Sequence, residues 1–228
     1  MTVVAIDTSA GAQVAVRSGG QWFVAAEEDS RAHAERLAQL LEQALGEAGL
    51  PANAGDAQVE SVVVGTGPAP FTGLRAGLVA AHVLARTCGA QEFGVGALEL
   101  LARQYLDGLP SDQELVVVTD ARRREVYWAH ARALGPDDVE LISPAKVSAP
   151  GEVANYIRQR NLSYAGPGCA AYPQEFPSPV GVGQVDVRVS MRVVEARQRR
   201  GVETFPTQPQ YLRRPDIHPG GKPAAVGK

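Results

Sequence analysis

The segments VVAID at residues 3–7 and VVVTD at residues 116–120 decide the fold of this chain of 228 residues. Both are short apolar runs rich in β-branched residues, and both stop at an aspartate. This pattern is typical of a buried strand that ends at an acid. Since a similar succession of elements surrounds each segment, we predict that the chain consists of two halves with one plan.

The first half is predicted to have the element order βββαβα. The pair Gly19-Gly20 marks a turn within an initial meander of three strands. The first helix has apolar residues at helical spacing, with Ser30 as its N-cap, and it ends before Gly49 and Pro51. The predicted strands cover residues 3–7, 12–16, 22–26 and 61–64, and the predicted helices cover residues 31–48 and 72–87.

The second half repeats this order as βββαβ. Glycine loops at 65–67 and 166–168 occupy equivalent places in the two halves. A duplicated βββαβα unit is the outline of the actin-like fold, an α/β architecture of the ASKHA and ribonuclease H-like class. An unrelated α+β protein with two sheets is the alternative. The predicted strands cover residues 115–119, 126–133, 140–147 and 163–165, with a helix at 152–160.

This plan divides the chain into an N-terminal half at residues 1–102 and a C-terminal half at residues 103–214. Residues 215–228 are rich in Pro and Gly without periodicity, which predicts a disordered tail. No apolar run approaches the roughly 20 residues that span a bilayer, and the N-terminus lacks a signal-peptide pattern. Two distant cysteines indicate neither a metal pair nor a disulfide framework. We therefore expect a cytoplasmic protein without a membrane segment.

The turns that follow the two deciding strands differ in their chemistry. Asp7, Thr8 and Ser9 form a small polar turn that could cradle an oxyanion or nucleotide. The second turn begins with Asp120 but continues into arginines from Arg122 onward, where a phosphate-binding turn needs small residues. We therefore do not expect phosphoryl transfer by this chain alone. The alternative for both acids is that they only cap strand ends.

The histidines of the chain form no recognisable metal site. His33 lies near the start of the first predicted helix, and a second histidine four residues later could complete a metal pair. That position is Leu37. His82, His130 and His218 do not form an obvious ligand set either. His33 is therefore predicted to be a packing or interface residue.

Five motifs occur in order along nearly the whole chain. They are AIDTS at 5–9, GTGPAPFTGLRAG at 65–77, DARRREVYWA at 120–129, GPG at 166–168 and PQYLRRPD at 209–216. Together with His33 on the first helix, they resemble the bacterial TsaB (YeaZ) family. The family loop usually reads GPGSFTGLR, which this chain retains as Gly67, Pro68, Phe71, Thr72, Gly73, Leu74 and Arg75.

The same loop departs from the family pattern at two positions. Ala69 and Pro70 stand where the family favours Gly and Ser. These residues stiffen the loop and remove a hydroxyl group. Both departures argue against an anion-binding role for the loop.

The resemblance implies a non-catalytic scaffold subunit with the actin-like fold but without a complete catalytic site. It implies pairing with the related catalytic subunit TsaD, joined by the ATPase TsaE. That complex adds threonylcarbamoyl to N6 of adenosine 37 in ANN-decoding tRNAs. No cofactor is expected on this chain alone, whereas ATP or ADP is expected at an interface of the complex. The alternatives are a glycoprotease-like metallopeptidase and a small-molecule kinase of the same fold.

The family resemblance also implies that the N-terminal helices bind the partner, and that they form a homodimer when the chain is alone. Both helices carry apolar stripes, and we expect part of these stripes to stay exposed as an interaction surface. The predicted interface consists of His33, Leu37, Leu41, Ala44, Leu74, Leu78 and Ala81.

Arginines concentrate in the second half of the chain. Residues 1–100 carry 5 Lys and Arg against 11 Asp and Glu, whereas residues 101–228 carry 17 against 14. Arg122, Arg123 and Arg124 are the predicted tRNA contacts. Few aromatic residues interleave the arginines along the sequence, so base stacking is not indicated. The alternative is a solvated basic surface.

We predict that the purified chain binds no structural or catalytic metal, because Leu37 occupies the position that a second histidine would need. Elemental analysis of the native protein checks this directly. About one equivalent of zinc or iron per chain would contradict the prediction.

Overall fold

The computed structural model describes residues 1–27 and 33–213, with side chains described for 1–27 and 36–213. The predicted tail at 215–228, the predicted N-cap Ser30 and the side chain of His33 lie outside this part. Predictions about them stay predictions.

The first half contains a five-stranded mixed sheet. Its strands are β1 (Thr2–Asp7), β2 (Ala12–Ser18), β3 (Gln21–Glu27), β4 (Val59–Gly65) and β5 (Gln91–Val95). They lie in the order β3-β2-β1-β4-β5. Strand β1 is central: Ala5 lies opposite Ala15 of antiparallel β2 and opposite Val63 of parallel β4.

The second half contains a four-stranded sheet with an equivalent centre. Its strands are β6 (Glu114–Asp120), β7 (Val126–Leu134), β8 (Asp138–Ser148) and β9 (Ser163–Ala165), in the order β8-β7-β6-β9. Val117 of β6 lies opposite Ala129 of antiparallel β7 and Ala165 of parallel β9. Strands β1 and β6 therefore occupy equivalent places, which confirms the predicted duplicated α/β fold.

Six helices surround and separate the two sheets in the described part of the chain. They are α1 (His33–Glu47), α2 (Phe71–Cys88), α3 (Ala97–Leu106), α4 (Pro150–Arg160), α5 (Pro167–Ala171) and α6 (Val189–Arg199). Helices α1 and α2 cover the outer face of the first sheet, and α4 covers the outer face of the second. Helices α3 and α6 pack between the sheets. None of these helices is long and apolar enough to cross a membrane.

Both central strands are buried on both faces. In β1, Val3 and Ala5 face the layer of α3 and α6, whereas Val4 and Ile6 face α1 and α2. In β6, Val117 faces that middle layer and its neighbours face α4. This double burial explains why the deciding segments are continuous apolar runs instead of alternating ones.

Several elements of the structure were not predicted. Strand β5 and helices α3, α5 and α6 are additional to the predicted order. The predicted boundary between residues 102 and 103 falls inside α3, which packs against both α6 and the second sheet. The two halves therefore share this helix.

Residues 205–213, which we name the C-terminal strap, run back across the first half. Phe205 packs edge-on against Phe93, and its carbonyl accepts a hydrogen bond from the Gly94 amide at 3.2 Å. The Gln210 amide donates to the Thr66 carbonyl at 2.8 Å. At the end of the strap, the Arg213 guanidinium donates to the Ala121 carbonyl at 2.9 Å. The strap therefore joins the first sheet to the second half.

Gly94→Ala should loosen the strap, because a Cβ at this position would lie 2.0 Å from the Pro206 carbonyl oxygen. We expect a loss of about 1–3 kcal/mol in the free energy of unfolding, as for other overpacked sites. Gly151→Ala in α4 is the control, since a Cβ there has open space around it. Urea unfolding measures both. Equal stability of Gly94→Ala and the wild type would show that the strap does not pack closely against β5.

Candidate functional site

A cleft of about 470 Å³ opens where the turns after β1 and β6 face each other. Its volume lies within the range of small-molecule sites. Thr8 and Ser9 line it from the first turn, Thr72 and Gly73 from the start of α2, and Asp120 and Arg122 from the second turn. The duplicated fold therefore brings the two sequence-predicted turns together, with the family-motif loop between them.

The first turn uses its polar groups internally. Ser9 donates from its backbone amide and its hydroxyl to Asp7 Oδ1, at 2.9 and 2.5 Å. The Thr8 hydroxyl donates to the Gly73 carbonyl at 2.9 Å. A Cβ on Gly77 would lie 2.3 Å from Thr8 Oγ1, so glycine is required for α2 to approach this closely. The turn is thus packed against the first helical turn of α2.

Asp7 is the unusual member of this turn. Its side chain is buried, and Oδ2 has no hydrogen-bond partner among the described residues. Burial raises the pKa of the Asp7 carboxyl above its usual 3.8, although the hydrogen bonds from Ser9 act in the opposite direction. A buried carboxyl group with one unpaired oxygen costs stability. Asp7 therefore differs from an acid that only caps the end of a strand.

The second turn is built differently. Arg122, Arg123 and Arg124 all have left-handed backbone conformations, with φ of 61°, 54° and 60°. For residues other than glycine this conformation costs roughly 1–2 kcal/mol each. Asp120 Oδ1 accepts a hydrogen bond from the Arg122 amide at 2.8 Å, and Oδ2 is paired with the Arg122 guanidinium at 3.3 Å. The acid that could orient a metal or water is therefore engaged by its own turn.

The motif loop presents an aromatic and arginine cluster. The Arg75 guanidinium lies 3.7 Å from the centre of the Phe71 ring, and Arg75 Nε donates to the Tyr211 hydroxyl at 2.8 Å. Phe71 and Tyr211 stack with ring centres 4.7 Å apart. The cluster thus joins the motif at 65–77 to the motif at 209–216, whose residues after 213 lie outside the described part.

A smaller cavity of about 170 Å³ lies beside the cleft, between the start of α2, the second turn and the C-terminal strap. The side chains that matter for its chemistry are Phe71, Tyr127, Tyr211, Arg122, Arg123 and Arg213. Few aromatic residues interleave the arginines along the sequence, but the fold brings the rings of Phe71 and Tyr211 beside Tyr127 at the arginine turn.

The chain resembles known proteins over most of its length. The sequence profile of the family described as "TsaD: tRNA N6-adenosine threonylcarbamoyltransferase" matches residues 2–184. The TsaB protein of Haemophilus influenzae, described as a tRNA threonylcarbamoyladenosine biosynthesis protein, is 28% identical over 93% of this chain and 94% of its own. This chain belongs to the TsaB (YeaZ) branch of the TsaD family.

Two further relatives match nearly the whole chain. A Mycobacterium bovis protein described as uncharacterized is 35% identical over 222 residues, which cover 96% of this chain and 94% of that protein. The solved structure of YeaZ from Pseudomonas aeruginosa superimposes with a TM-score of 0.74 at 25% identity, covering 92% of this chain and 99% of that chain.

The predicted partner interface of this TsaB-family chain needs correction. Leu37, Ala44, Leu74, Leu78 and Ala81 are all buried in the chain's own core, where α1 and α2 pack on the first sheet. They cannot be a partner surface, because the stripe is used for folding. Leu41 is half-buried beside the same core.

The exposed apolar residues of α2 lie on a different face. Val79 and Val83 keep 62% and 58% of their surface exposed, and they stand four residues apart on one ridge. Arg75 lies four residues before Val79 on the same ridge and is also exposed. We name Arg75, Val79 and Val83 the α2 ridge. The spacing of apolar residues along the sequence did not predict this face as an interface.

Metal ligation finds no support in the described side chains. Within residues 1–27 and 36–213, no group of three or more His, Cys, Asp or Glu side chains could hold a metal ion. His82 pairs with Glu92 at 3.1 Å on the surface. His130 is buried between Glu114 and Tyr156, with contacts of 2.8 and 2.9 Å.

Asp7→Asn should change how stability depends on pH. Because the folded state holds the Asp7 proton more tightly than the unfolded state, the stability that Asp7 contributes falls as pH rises above 3.8 through its raised pKa. Asn does not titrate, so the stability of the variant relative to wild type should increase from pH 4 to pH 7. Urea unfolding at several pH values measures this difference.

The matched control is Asp112→Asn, which replaces an exposed carboxyl of the same kind. Its profile relative to wild type should lack the rise that Asp7→Asn produces. Parallel profiles for Asp7→Asn and wild type would show that the Asp7 carboxyl titrates alike in the folded and unfolded chain.

Proposed function

We propose that this chain is a non-catalytic subunit in the biosynthesis of threonylcarbamoyladenosine in tRNA, and that it acts by binding a TsaD-type catalytic subunit. The observation that carries the proposal is the second turn. Its three arginines in left-handed conformation replace the small residues that would admit a phosphate group. The similarity to TsaB of Haemophilus influenzae supplies the pathway.

Group transfer needs a site that holds both substrates and stabilises developing charge. In the cleft, the Thr8 hydroxyl is used by the Gly73 carbonyl and Asp120 is used by Arg122. Asp7 is buried beneath Ser9. Apart from Asp7 Oδ2, these polar groups are engaged in hydrogen bonds within the chain, which favours a retained binding surface over a retained reaction.

The two enzyme alternatives have weaker support. A metallopeptidase of this fold would need a second ligand at Leu37, and that side chain is buried in the core. A small-molecule kinase would need an open second turn. Asp7, Thr8 and Ser9 remain a proposed anion contact only within an assembled complex, where ATP or ADP is proposed to bind at an interface with TsaD or TsaE.

The α2 ridge is the proposed surface for the TsaD-type partner. Val79 and Val83 are large apolar side chains that water surrounds in the isolated chain, and covering them removes apolar surface from water. Arg75 at the end of the ridge is held in place by Phe71 and Tyr211 and so offers a fixed charge beside the apolar residues. Because the ridge is exposed in the single chain, it is also the proposed surface for a homodimer.

Changing Val79 and Val83 together to Asp should disrupt partner binding without affecting the fold. The change buries unpaired carboxylates in the proposed contact, which costs several kcal/mol, so affinity should fall at least tenfold. Co-elution with TsaD on size exclusion, and the yield of modified adenosine in the reconstituted system, should fall together.

Ile142→Asp is the matched control, since Ile142 is an exposed aliphatic residue of β8 in the second half. It should co-elute with TsaD like the wild type. The ridge is not the partner surface if the double variant keeps both wild-type co-elution and a wild-type circular dichroism spectrum.

A further inference from the structure

The 170 Å³ cavity beside the cleft combines two kinds of wall. Phe71, Tyr127 and Tyr211 supply aromatic surface, and the arginines of the second turn supply positive charge. Arg213 borders it from the strap and is paired with Glu125, so part of the charge on that side is neutralised. Aromatic rings beside guanidinium groups form a surface suited to a ligand that is both planar and anionic.

The charge around this cavity is opposite to the charge of the chain. The formal net charge of the whole chain is −3. Among the described residues, Arg122, Arg123 and Arg213 line the cavity and Arg75 contacts two of its rings, whereas Asp120 pairs with Arg122 and Glu125 pairs with Arg213. Local positive charge on an acidic chain favours an anionic partner at this place.

The backbone of the arginine turn adds an independent observation. Three consecutive residues other than glycine hold left-handed conformations, in a turn closed by hydrogen bonds between Ala121 and Glu125 and between Glu125 and Arg122. The turn closes the hairpin between β6 and β7, and tight hairpin turns require left-handed residues. The hairpin therefore fixes the backbone that carries Arg122 and Arg123 at the cavity wall.

Tyr211 offers a face for stacking. One side of its ring stacks on Phe71 with centres 4.7 Å apart, and 39% of the residue remains exposed. Its hydroxyl accepts the hydrogen bond from Arg75, which fixes the orientation of the ring. A ring that is already oriented loses little entropy when a planar group stacks on it.

We propose that this cavity binds one unstacked nucleotide of a single-stranded RNA segment, with its base against Tyr211 and its phosphate near Arg122 and Arg123. The proposal rests on the proposed role in tRNA modification, because RNA is the anionic polymer that a subunit of that pathway encounters. The cavity is smaller than the 300–1,000 Å³ typical of small-molecule sites, so it fits a single base and excludes a complete dinucleotide cofactor. An acidic peptide would use the arginines but not the aromatic face.

The test measures binding of a fluorescein-labelled single-stranded adenosine decanucleotide to the full chain, alone and in complex with TsaD. Tyr211→Leu should weaken binding about fivefold or more, because base stacking is lost. Tyr211→Phe keeps the ring and should stay within about twofold of wild type. Arg86→Gln, a change of an exposed arginine at the far end of α2, should have no effect.

The arginines are tested through the salt dependence. Arg122→Gln combined with Arg123→Gln should reduce the slope of log affinity against log salt by about 0.7, the contribution of one phosphate on a single strand. Inorganic polyphosphate, which has charge but no bases, should bind Tyr211→Leu and wild type equally.

Each contrary outcome overturns a defined part of the inference. If Tyr211→Leu binds the RNA as well as wild type does, or if Tyr211→Phe loses as much affinity as Tyr211→Leu, no base stacks on this ring. If polyphosphate affinity falls with RNA affinity in Tyr211→Leu, the cavity recognises charge alone. Co-elution of the wild-type chain with TsaD in any of these cases would leave the proposed partner role intact, so the two failures are distinguishable.

Discussion

The layer formed by α3 and α6 between the two sheets is the constraint on which the rest of the molecule depends. Leu98, Leu101 and Val193 of these helices are almost completely buried between β1 on one side and β6 on the other. Polar contacts fix α6 in this layer, because Arg197 reaches both Glu99 of α3 and Asp138 of β8, at 2.5 and 3.0 Å. With apolar surface on both sides, neither sheet can slide without exposing it to water.

This central layer also determines where chemistry would occur. Because β1 and β6 are held at equivalent places in their sheets, the turns that follow them meet across one cleft. In this chain the Thr8 hydroxyl donates to the Gly73 carbonyl of α2, and the Arg122 amide donates to Asp120. The fold keeps the geometry of a two-sided site, and polar groups of both turns are hydrogen-bonded within the chain. Val79 and Val83 of the α2 ridge are exposed in the single chain.

Much of the fold could be predicted from the sequence, and the missing parts have physical causes. The strands around VVAID and VVVTD were predictable because burial on both faces leaves a continuous apolar run. Helix α6 was not predicted, since the carboxylates that pair with its arginines lie far away in the sequence. In the structure Arg192 and Arg197 are paired with Asp107, Asp137, Glu99 and Asp138.

The candidate site was less predictable than the fold. An apolar stripe on a helix has the same periodicity whether it faces the chain's own core or a partner, so Leu74 and Leu78 could not be distinguished from interface residues. The exposed valines of α2 lie off that stripe. The aromatic cavity arises from Phe71, Tyr127 and Tyr211, and no pattern along the chain links residues so far apart.

The most direct test of the account is the formation of threonylcarbamoyladenosine in a reconstituted system of tRNA, threonylcarbamoyl-adenylate, ATP, TsaD and TsaE, with and without this chain. The account predicts that modified adenosine forms with all components present, that it is lost when this chain is omitted, and that it does not form when TsaD is omitted. Modified adenosine produced by this chain in the absence of TsaD would contradict the claim that the chain acts through its surface and not as a catalyst.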